Sequence, residues 1–356
     1  MSTFGQYFRV TTYGESHCKS VGCIVDGCPP GMELTEEDIQ PQLTRRRPGQ
    51  SAITTPRNEQ DLVEIQSGTE FGITLGTPIG MKVMNKDQRP KDYGGSTMDM
   101  FPRPSHADWT YLEKYGVKAS SGGGRSSARE TIGRVSAGAI AEKYLSLTHG
   151  VEIIAFVASV GNEFLFPPTP EHPTQATNPK FLNLINTITR EHVDSPEFLP
   201  IRCPDKEAAD RMKSLVEKFR DAHDSIGGTV TCVIRNVPSG LGEPCFDKLE
   251  ALIGHAMLSI PSTKAATISQ AQDTVTYDST PGVLEAKGRH DPCVVPRAIP
   301  IVESMAALAI MDATMAQLAR SASRQRLPPL KGTLPTKETL LGGAKEPVAE
   351  KEASKS

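Results

Sequence analysis

Residues 23–31 read CIVDGCPPG, and residues 232–240 read CVIRNVPSG. Each stretch begins with an apolar run typical of a strand and continues into a turn rich in proline and glycine. A helix is predicted after each turn, over about 35–46 and 246–258. The repeated order of strand, turn and helix indicates two structurally related halves. Because few residues are identical between the two stretches, a chance likeness is the alternative.

The rest of the chain extends this repeat into a single domain over residues 1–330. The two halves cover about residues 1–150 and 207–330. Between them, residues 161–206 are rich in Pro, Asn, Thr and charge, which predicts a surface insertion. Residues 331–356 combine Lys, Glu, Pro and Gly with few large apolar side chains, and this composition is typical of a disordered tail.

Further elements follow from local patterns. Residues 127–147 form the clearest predicted helix, in which Ser127 and Glu130 are expected to cap each other's backbone as a capping box. Another helix is predicted over 206–221, and Pro300 is expected to begin a final apolar helix. Apolar runs bounded by turn residues predict strands over 20–26, 61–65, 79–84, 151–160 and 228–235.

The composition argues against several functional classes. A chain of 356 residues with 37% hydrophobic and 23% charged residues is typical of a globular protein. The net charge of -3 predicts no nucleic-acid partner. No basic stretch precedes an apolar run at the N-terminus, and no apolar run approaches ~18 residues, so neither a signal peptide nor a membrane span is expected.

The seven cysteines indicate a reducing compartment, because no secretory signal accompanies them. We therefore expect free thiols and a cytoplasmic protein. Cys18, Cys23 and Cys28 are spaced by five residues, which matches no zinc motif, so no metal site is expected there.

Two short stretches carry histidines in settings that suit acid–base chemistry. Residues 14–17 read GESH, and the imidazole of His17 can act as a general acid because its usual pKa lies near neutrality. Taken alone, a hydrogen-bonded structural histidine is the better interpretation of this stretch. Residues 103–108 read RPSHAD, where proline stiffens the backbone around His106 and Asp108 can orient the imidazole.

Residues 45–49 read RRRPG at the end of a predicted helix. Adjacent arginines point in different directions, so the three cannot all bind one ligand. One or two of them can clamp a carboxylate or phosphate with two hydrogen bonds. Solvated charge at a helix C-terminus is the alternative.

The strongest physical signal is the stretch SSGGGRSSAR at residues 120–129. Its three glycines let backbone N–H groups approach a ligand, and the helix start at Ser127 attracts an anion. Arg125 and Arg129 add positive charge. The stretch matches neither the Walker A loop nor the dinucleotide fingerprint. We expect an anion site here in preference to a plain flexible loop.

A last cluster, GRHDPC at residues 288–293, places Arg289 close to Asp291. A fixed arginine–aspartate pair before a proline can hold an ionised carboxylate that acts as a base. A purely structural ion pair is the alternative.

Together, three long stretches resemble the signature sequences of the chorismate synthase family, in its fungal form. They are residues 14–29 (GESHCKSVGCIVDGCP), 124–141 (GRSSARETIGRVSAGAIA) and 289–305 (RHDPCVVPRAIPIVESM). RRRPG and RPSHAD also fall at family positions, and the likeness covers about residues 4–262 and 265–320. The resemblance implies an α+β fold, a β-α-β sandwich with an internal pseudo-repeat, and assembly as a homotetramer.

The resemblance also implies an activity. Members of this family eliminate phosphate from 5-enolpyruvylshikimate 3-phosphate by a 1,4-anti elimination, which gives chorismate at the end of the shikimate pathway to aromatic amino acids. The cofactor is reduced FMN, with no net redox change. Fungal-type relatives also reduce their own flavin with NADPH. Because the sequence shows no separate nicotinamide motif, that second activity stays open here.

Residue roles follow by position in the family. His17 resembles the acid for the departing phosphate, and His106 resembles the histidine beside the flavin N1. Asp291 resembles the carboxylate that works with the flavin N5 to remove the substrate proton. The residues that resemble the basic substrate pocket are Arg46, Arg125, Arg129 and Arg289. Those that resemble flavin-binding residues are Arg125, Ser126, Ser127 and Arg289.

The chain departs from the family near residues 263–266. Family members have several tens of residues between the Ile-Pro-Ser that matches 260–262 and the Ala-Thr-Ile-Ser that matches 266–269. In the family, that stretch contacts the flavin and forms a lid. Two outcomes are therefore open. The chain is an active lyase, or it is a folded but inactive variant that binds anions and lacks part of the FMN site.

Overall fold

A computed structural model of the chain describes a defined set of residues: 1–51, 53, 59–86, 101–103, 106–119, 121–263, 272–275, 281–284 and 291–328. Arg289, the predicted tail at 331–356 and most of the junction near 263–266 lie outside the described residues. The chain divides into two units, Met1–Ala316 and Gln317–Ser356. The sheets and every site residue that is described belong to the first unit.

The described strands, in chain order, are β1 (Thr3–Phe4), β2 (Arg9–Tyr13), β3 (Ser20–Asp26), β4 (Val63–Ile65), β5 (Thr69–Glu70), β6 (Ile73–Thr74), β7 (Ile79–Met84), β8 (Glu152–Val160), β9 (Glu163–Phe164), β10 (Gly228–Arg235), β11 (Gln272–Val275) and β12 (Pro281–Leu284). The described α-helices are α1 (Glu36–Arg46), α2 (Asp108–Tyr115), α3 (Thr131–His149), α4 (Pro179–Thr187), α5 (Arg190–Val193), α6 (Lys206–Asp221), α7 (Leu249–Leu258) and α8 (Val295–Gln325).

Two antiparallel sheets organise the first unit. One has the strand order β1-β2-β3-β7-β4, and the other has the order β10-β8-β9. β5 pairs with β6, and β11 pairs with β12, as separate two-stranded sheets. This mixture of antiparallel sheets and helices confirms the predicted α+β class.

The first sheet is covered by α1, which follows β3, and by α3, which follows β7. On β3 and β7 the inward side chains alternate, as the pleat of a strand requires. Those side chains are Val21, Cys23, Val25, Ile79, Met81 and Val83, all buried. α3 approaches β3 closely, because a Cβ at Gly133 would lie 2.7 Å from the carbonyl oxygen of Gly22. This contact explains why glycine stands at that position of the helix.

Several predicted elements are confirmed with the bounds expected from the sequence. These are β3, β7, β10 and α6. Thr35 begins α1 in a capping box with Asp38. The predicted capping box at the start of α3 is wrong. There Ser127 caps a short 3₁₀ turn, Ala128–Glu130, and α3 begins only at Thr131.

The reason lies in the side chain of Glu130. Its carboxylate accepts hydrogen bonds from the Thr12 hydroxyl at 2.6 Å and from Arg134 Nε at 2.8 Å. The Ser127 hydroxyl instead accepts from the backbone N–H of Arg129. A tertiary contact has therefore replaced the local cap.

The start of the last helix also differs from the prediction. α8 begins at Val295, so Pro300 lies inside it. A proline has no N–H, so the carbonyl of Pro296 loses its helical partner. Arg202 Nη1 donates to that carbonyl at 3.0 Å. This hydrogen bond lets the helix run through the proline.

Part of the predicted surface insertion at 161–206 packs inward. Its fully buried side chains are Leu165, Ile188, Val193, Ile201 and Cys203. They join a second hydrophobic core with β8 and α6. The segment therefore contributes to stability as well as to the surface.

The N-terminal loop is held by the last helix. Asp312 of α8 accepts hydrogen bonds from the backbone N–H groups of Gln6, Tyr7 and Phe8 at 2.9, 2.6 and 2.9 Å. A Cβ at Gly5 would lie 2.1 Å from the carbonyl oxygen of Phe8. The turn before β2 is therefore fixed by a residue about 300 positions away.

α8 is long and apolar enough to cross a membrane by length and composition alone. Its apolar window is 78% buried inside the structure. The protein core thus accounts for these apolar side chains.

Candidate functional site

The glycine-rich loop lies against the GESH stretch. Gly122 has φ +71°, and a Cβ there would lie 2.8 Å from both Cδ2 and Nε2 of His17. It would also lie 3.1 Å from the hydroxyl oxygen of Ser16. The backbone of the loop therefore packs directly on the imidazole, and only glycine fits both the space and the left-handed conformation.

The RPSHAD stretch meets the next residue of the same loop. A Cβ at Gly123 would lie 3.1 Å from Nη2 of Arg103. Arg103 donates from Nε and Nη2 to the Asp108 carboxylate at 2.8 and 2.9 Å. Burial alone would raise the pKa of Asp108, but the hydrogen bonds from Arg103 and the nearby charge of His106 lower it. This ion pair fixes the turn that carries His106.

Arg125 ties the loop to the edge of β2. It donates to the carbonyl oxygens of Gly14 and Thr12 at 2.9 and 3.0 Å, and it lies 3.5 Å from the Glu130 carboxylate. Its side chain is 21% exposed. Arg125 also borders a cavity of about 290 Å³. The other polar and aromatic residues around this cavity include Thr12, Tyr111, Tyr115, Arg134 and His255.

Two of the predicted anion-binding arginines lie deeper, on either side of one carboxylate. Asp61 Oδ2 lies 2.9 Å from Arg46 Nη1, and Asp61 Oδ1 lies 2.5 Å from Arg129 Nη1. All three side chains are buried. Burial, Arg297 and Arg129 lower the pKa of Arg46, and Asp61 opposes that change. We call Arg46, Asp61 and Arg129 the Asp61 cluster.

The Asp61 cluster connects to the GESH stretch through Asn85. The Asn85 side-chain oxygen accepts from Arg129 Nε at 2.6 Å. Its amide donates to the carbonyl oxygen of Cys18 at 2.7 Å. Because Cys18 follows His17 in the chain, a continuous path of hydrogen bonds joins the buried arginines to the backbone beside that histidine.

Arg297 connects Asp291 to the Asp61 cluster. Arg297 Nη1 lies 2.8 Å from the Asp291 carboxylate, and Arg297 Nε donates to the carbonyl oxygen of Arg46 at 3.0 Å. The sequence suggested Arg289 as the partner of Asp291, and Arg289 lies outside the described residues. Arg297 lies six residues after Asp291, in the first turn of α8. From there it contacts both the Asp291 carboxylate and the end of α1.

Arg45 points away from this site. Its guanidinium forms ion pairs with Asp194, at 2.5 Å, and with the buried Glu303. Burial alone would lower the pKa of Arg45, but these two carboxylates raise it above its usual value. As expected for adjacent arginines, Arg45 and Arg46 enter different clusters. We call Arg45, Asp194 and Glu303 the Glu303 cluster.

Sequence reasoning missed Asp61, Asn85 and Arg103 as members of the site. Asp61 lies just before β4 in a left-handed conformation, φ +52°, and Asn85 follows β7 directly. Because β4 and β7 are antiparallel, the start of β4 lies beside the end of β7. A polar residue at each of these strand ends could therefore have been predicted to meet the other. No local motif marks either residue.

No group of metal-binding side chains occurs among the described residues. None of the seven cysteines, all of which are described, forms a disulfide bond. Burial raises the pKa of Cys23 to about 12, so this thiol is unreactive.

An α+β sandwich whose glycine-rich loop meets a histidine and several arginines defines a class of enzyme that acts on anionic substrates. The family model described as chorismate synthase matches residues 8–270 and 265–315. The chain therefore belongs to the chorismate synthase family, whose members are lyases, and the resemblance noted from the sequence is confirmed.

Fungal relatives are similar over nearly their whole length. The chorismate synthase of Neurospora crassa is 63% identical, with 98% of this chain and 99% of the relative covered. That of Schizosaccharomyces pombe is 56% identical, with 92% and 99% covered. A crystal structure of a chorismate synthase has a TM-score of 0.59 at 24% identity, covering 88% of this chain and 93% of that one. This structural match shows that the two proteins share a fold.

The comparisons also bear on the missing stretch. The alignment with the Neurospora crassa relative spans 429 positions, although this chain has 356 residues. The relative therefore carries at least 73 residues that this chain lacks. The two matched segments of the family model meet at residues 265–270. This break agrees with the deletion predicted near 263–266.

Proposed function

We propose that the chain eliminates phosphate from 5-enolpyruvylshikimate 3-phosphate to give chorismate, by the 1,4-anti elimination of its family. The observation that carries this proposal is the meeting of the GESH and RPSHAD stretches at Gly122 and Gly123 of the glycine-rich loop. His17 contacts one glycine and Arg103 contacts the next. The buried arginines are linked to the same place through Asn85.

Reduced FMN is the proposed cofactor, and the donor chemistry of the glycine-rich loop fits its anionic groups. Gly122, Gly123 and Gly124 all have positive φ, and a Cβ at Gly122 or Gly123 would lie 2.8 or 3.1 Å from a neighbouring side chain. Arg125, Ser126, Ser127 and Arg289 would hold the flavin, with His106 beside it. When bound, reduced FMN supplies transient electron donation without net redox change.

The chain's own residues then have distinct tasks. His17 holds a proton for the departing phosphate, and Asp291 accepts the proton that leaves the substrate carbon. Arg297 Nη1 lies 2.8 Å from the Asp291 carboxylate and holds it in position for this task. Arg46, Arg125, Arg129 and Arg289 supply positive charge for the phosphate and the two carboxylates of the substrate.

Replacing His17 tests the assignment of the acid. We expect His17→Ala to lower the rate of chorismate formation by roughly 10²–10⁴-fold, because a positioned general acid contributes about that much. His106→Ala is expected to lower it similarly. The assay uses the full chain with chemically reduced FMN under anaerobic conditions. His149→Ala, at the exposed end of α3, is the matched control and should retain the parent rate. The comparison is made where the parent chain forms chorismate at a measurable rate, and a folded His17→Ala protein with that same rate contradicts the assignment.

The missing residues set a limit on this activity. Because the family's flavin contacts lie partly in that stretch, we expect this chain to bind FMN more weakly than the Neurospora crassa relative and to turn over slowly or not at all. Calorimetric titration of both proteins with FMN, with and without substrate, measures the difference. A folded chain that binds substrate but forms no chorismate would identify the inactive variant. Equal FMN affinity would contradict the expectation.

NADPH-dependent flavin reduction, the homotetramer and the cytoplasmic location stay predictions.

A further inference from the structure

Glu130 lies in the second signature stretch, and none of the tasks proposed above uses it. Its side chain is buried, with 6% of its surface exposed, and it lies beside the cationic Arg125. A buried carboxylate at a site for anions opposes the approach of another negative charge. The contacts of this carboxylate indicate a task other than charge.

One carboxylate oxygen of Glu130 reaches Arg125 through the hydroxyl group of Thr12. This hydroxyl donates to Glu130 Oε1 at 2.6 Å and accepts from Arg125 Nη2 at 2.5 Å. A hydroxyl has one proton to donate, whereas an ionised carboxylate can only accept. Glu130 therefore fixes the direction of the Thr12 proton and leaves the hydroxyl oxygen as an acceptor for Arg125.

Glu130 is itself held through its other carboxylate oxygen. Arg134 Nε donates to Glu130 Oε2 at 2.8 Å, and Arg134 Nη1 donates to the Ser259 hydroxyl at 2.6 Å. These contacts tie the first turn of α3 to the end of α7. Because each carboxylate oxygen has a hydrogen-bond donor, the carboxylate has a fixed orientation.

The other acceptors of Arg125 are neutral. They are the carbonyl oxygens of Gly14 and Thr12, at 2.9 and 3.0 Å. In the part of the chain that is described, Glu130 is the one carboxylate within 4 Å of Arg125, at 3.5 Å. The Arg125 side chain keeps 21% of its surface exposed, so it is oriented by the protein and still accessible to a ligand.

We propose that Glu130 is a positioning residue that holds the Arg125 guanidinium, through the Thr12 hydroxyl, in the orientation that binds the anionic groups of the substrate. This inference rests on the proposed function, in which Arg125 belongs to the basic substrate pocket. A guanidinium that is already oriented loses less side-chain freedom when it binds. Breaking the link should therefore weaken binding, although the loss of a negative charge alone would strengthen it.

Substitutions of Thr12 test the link without changing a charged residue. Thr12→Val removes the hydroxyl at nearly constant size, and Thr12→Ser keeps it. Thr11→Val is the matched control, because it makes the same change at the next residue of β2, which points to the opposite face of the sheet. There the Thr11 hydroxyl lies 2.9 Å from that of Thr3.

The first measurement is arginine side-chain NMR of the full chain without ligand, with the Arg125 signal assigned from Arg125→Lys. We expect slow rotation of the Arg125 guanidinium in the parent chain, in Thr12→Ser and in Thr11→Val. In Thr12→Val the rotation should be faster, because the guanidinium has lost an acceptor. This readout does not depend on which ligand the chain binds.

The second measurement is calorimetric titration with 5-enolpyruvylshikimate 3-phosphate. Thr12→Val should weaken its binding about tenfold, since a hydrogen bond to a charged group is lost. Thr12→Ser and Thr11→Val should stay within about twofold of the parent chain. Glu130→Gln should also weaken binding, by about threefold or more, although the protein gains net positive charge.

Three results would overturn the proposal. Arg125 rotates no faster in Thr12→Val, or it rotates faster while the substrate affinity is unchanged, or Glu130→Gln binds the substrate more tightly. A parent chain that binds no substrate, with Arg125 still released by Thr12→Val, supports the link from Glu130 to Arg125 and contradicts the proposed function. If Thr12→Val fails to fold, both measurements on Glu130→Gln decide the question.

Discussion

Arg45 and Arg46 are neighbours at the end of α1, yet their guanidinium groups enter clusters of opposite electrostatic character. Carboxylates dominate the surroundings of Arg45, and they raise its pKa. Burial lowers the pKa of Arg46, the nearby Arg297 and Arg129 lower it further, and Asp61 opposes this change. The end of one helix therefore contributes to two charge clusters whose partners shift the pKa values of neighbouring arginines in opposite directions.

The largest expected effect comes from neutralising the centre of the Asp61 cluster. Asp61→Asn removes the carboxylate partner of the buried Arg46 and leaves Arg129 with Glu59, 3.7 Å away. We expect the free energy of unfolding to fall by about 3–5 kcal/mol, as when one partner of a buried ion pair is removed. Urea denaturation measures this loss.

Asp210→Asn is the control, because Asp210 forms an exposed pair with Lys206 and the side chains are 62% and 55% exposed. This variant should stay within about 0.5 kcal/mol of the parent chain. If Asp61→Asn also costs less than about 1 kcal/mol, the Asp61 cluster does not depend on its carboxylate.

A smaller effect is expected in the Glu303 cluster. Gln in place of Glu303 can still accept the hydrogen bond from the Ala155 N–H, which is 2.9 Å from the carboxylate. Arg45 also keeps Asp194 as a partner. We expect Glu303→Gln to lower the free energy of unfolding by about 2–3 kcal/mol, the cost of losing a hydrogen bond to a charged group. Urea denaturation beside Asp61→Asn gives the comparison. A larger loss for Glu303→Gln would reverse the ranking of the two clusters.

The smallest effect is expected for the ion pair of Arg103 and Asp108, which consists of one positive and one negative side chain. The pKa of Asp108 is lowered in the folded chain, so the pair stabilises the fold above the unfolded pKa of about 3.9 and loses that contribution as the pH falls through the lower folded pKa. Asp108→Asn should cost about 1–2 kcal/mol at pH 7 and flatten the dependence of stability on pH below about 4. Unfolding measured between pH 2 and 7 tests this. A variant with the parent's acid dependence would show that Asp108 does not contribute to it.

The sequence predicted the parts of the fold that depend on local pattern. β3, β7 and β10 alternate apolar residues between turn residues, and α6 has a clear amphipathic period, so their bounds agreed with the structure. The start of α3 did not, because Glu130 binds Thr12 across 118 positions of the chain. The start of α8 did not, because Arg202 supplies a hydrogen bond that Pro300 cannot. Both errors arise from tertiary contacts that no window of sequence contains.

The residues of the candidate site also divide into those marked by a local motif and those brought in by tertiary contacts. His17, His106, Arg125 and Asp291 lie in motifs long enough to recognise. Asp61, Asn85 and Arg103 became visible only when strand ends and loops were brought together in space.

The hydrogen bonds from Gln6, Tyr7 and Phe8 to Asp312 have a consequence for synthesis. At roughly 5–20 residues per second, the ribosome adds Asp312 about 15–60 s after the N-terminal loop has formed. Until then the first turn lacks its partner, and closing a loop of this length is entropically costly. A chain stalled before residue 312 therefore lacks the carboxylate that fixes the turn before β2.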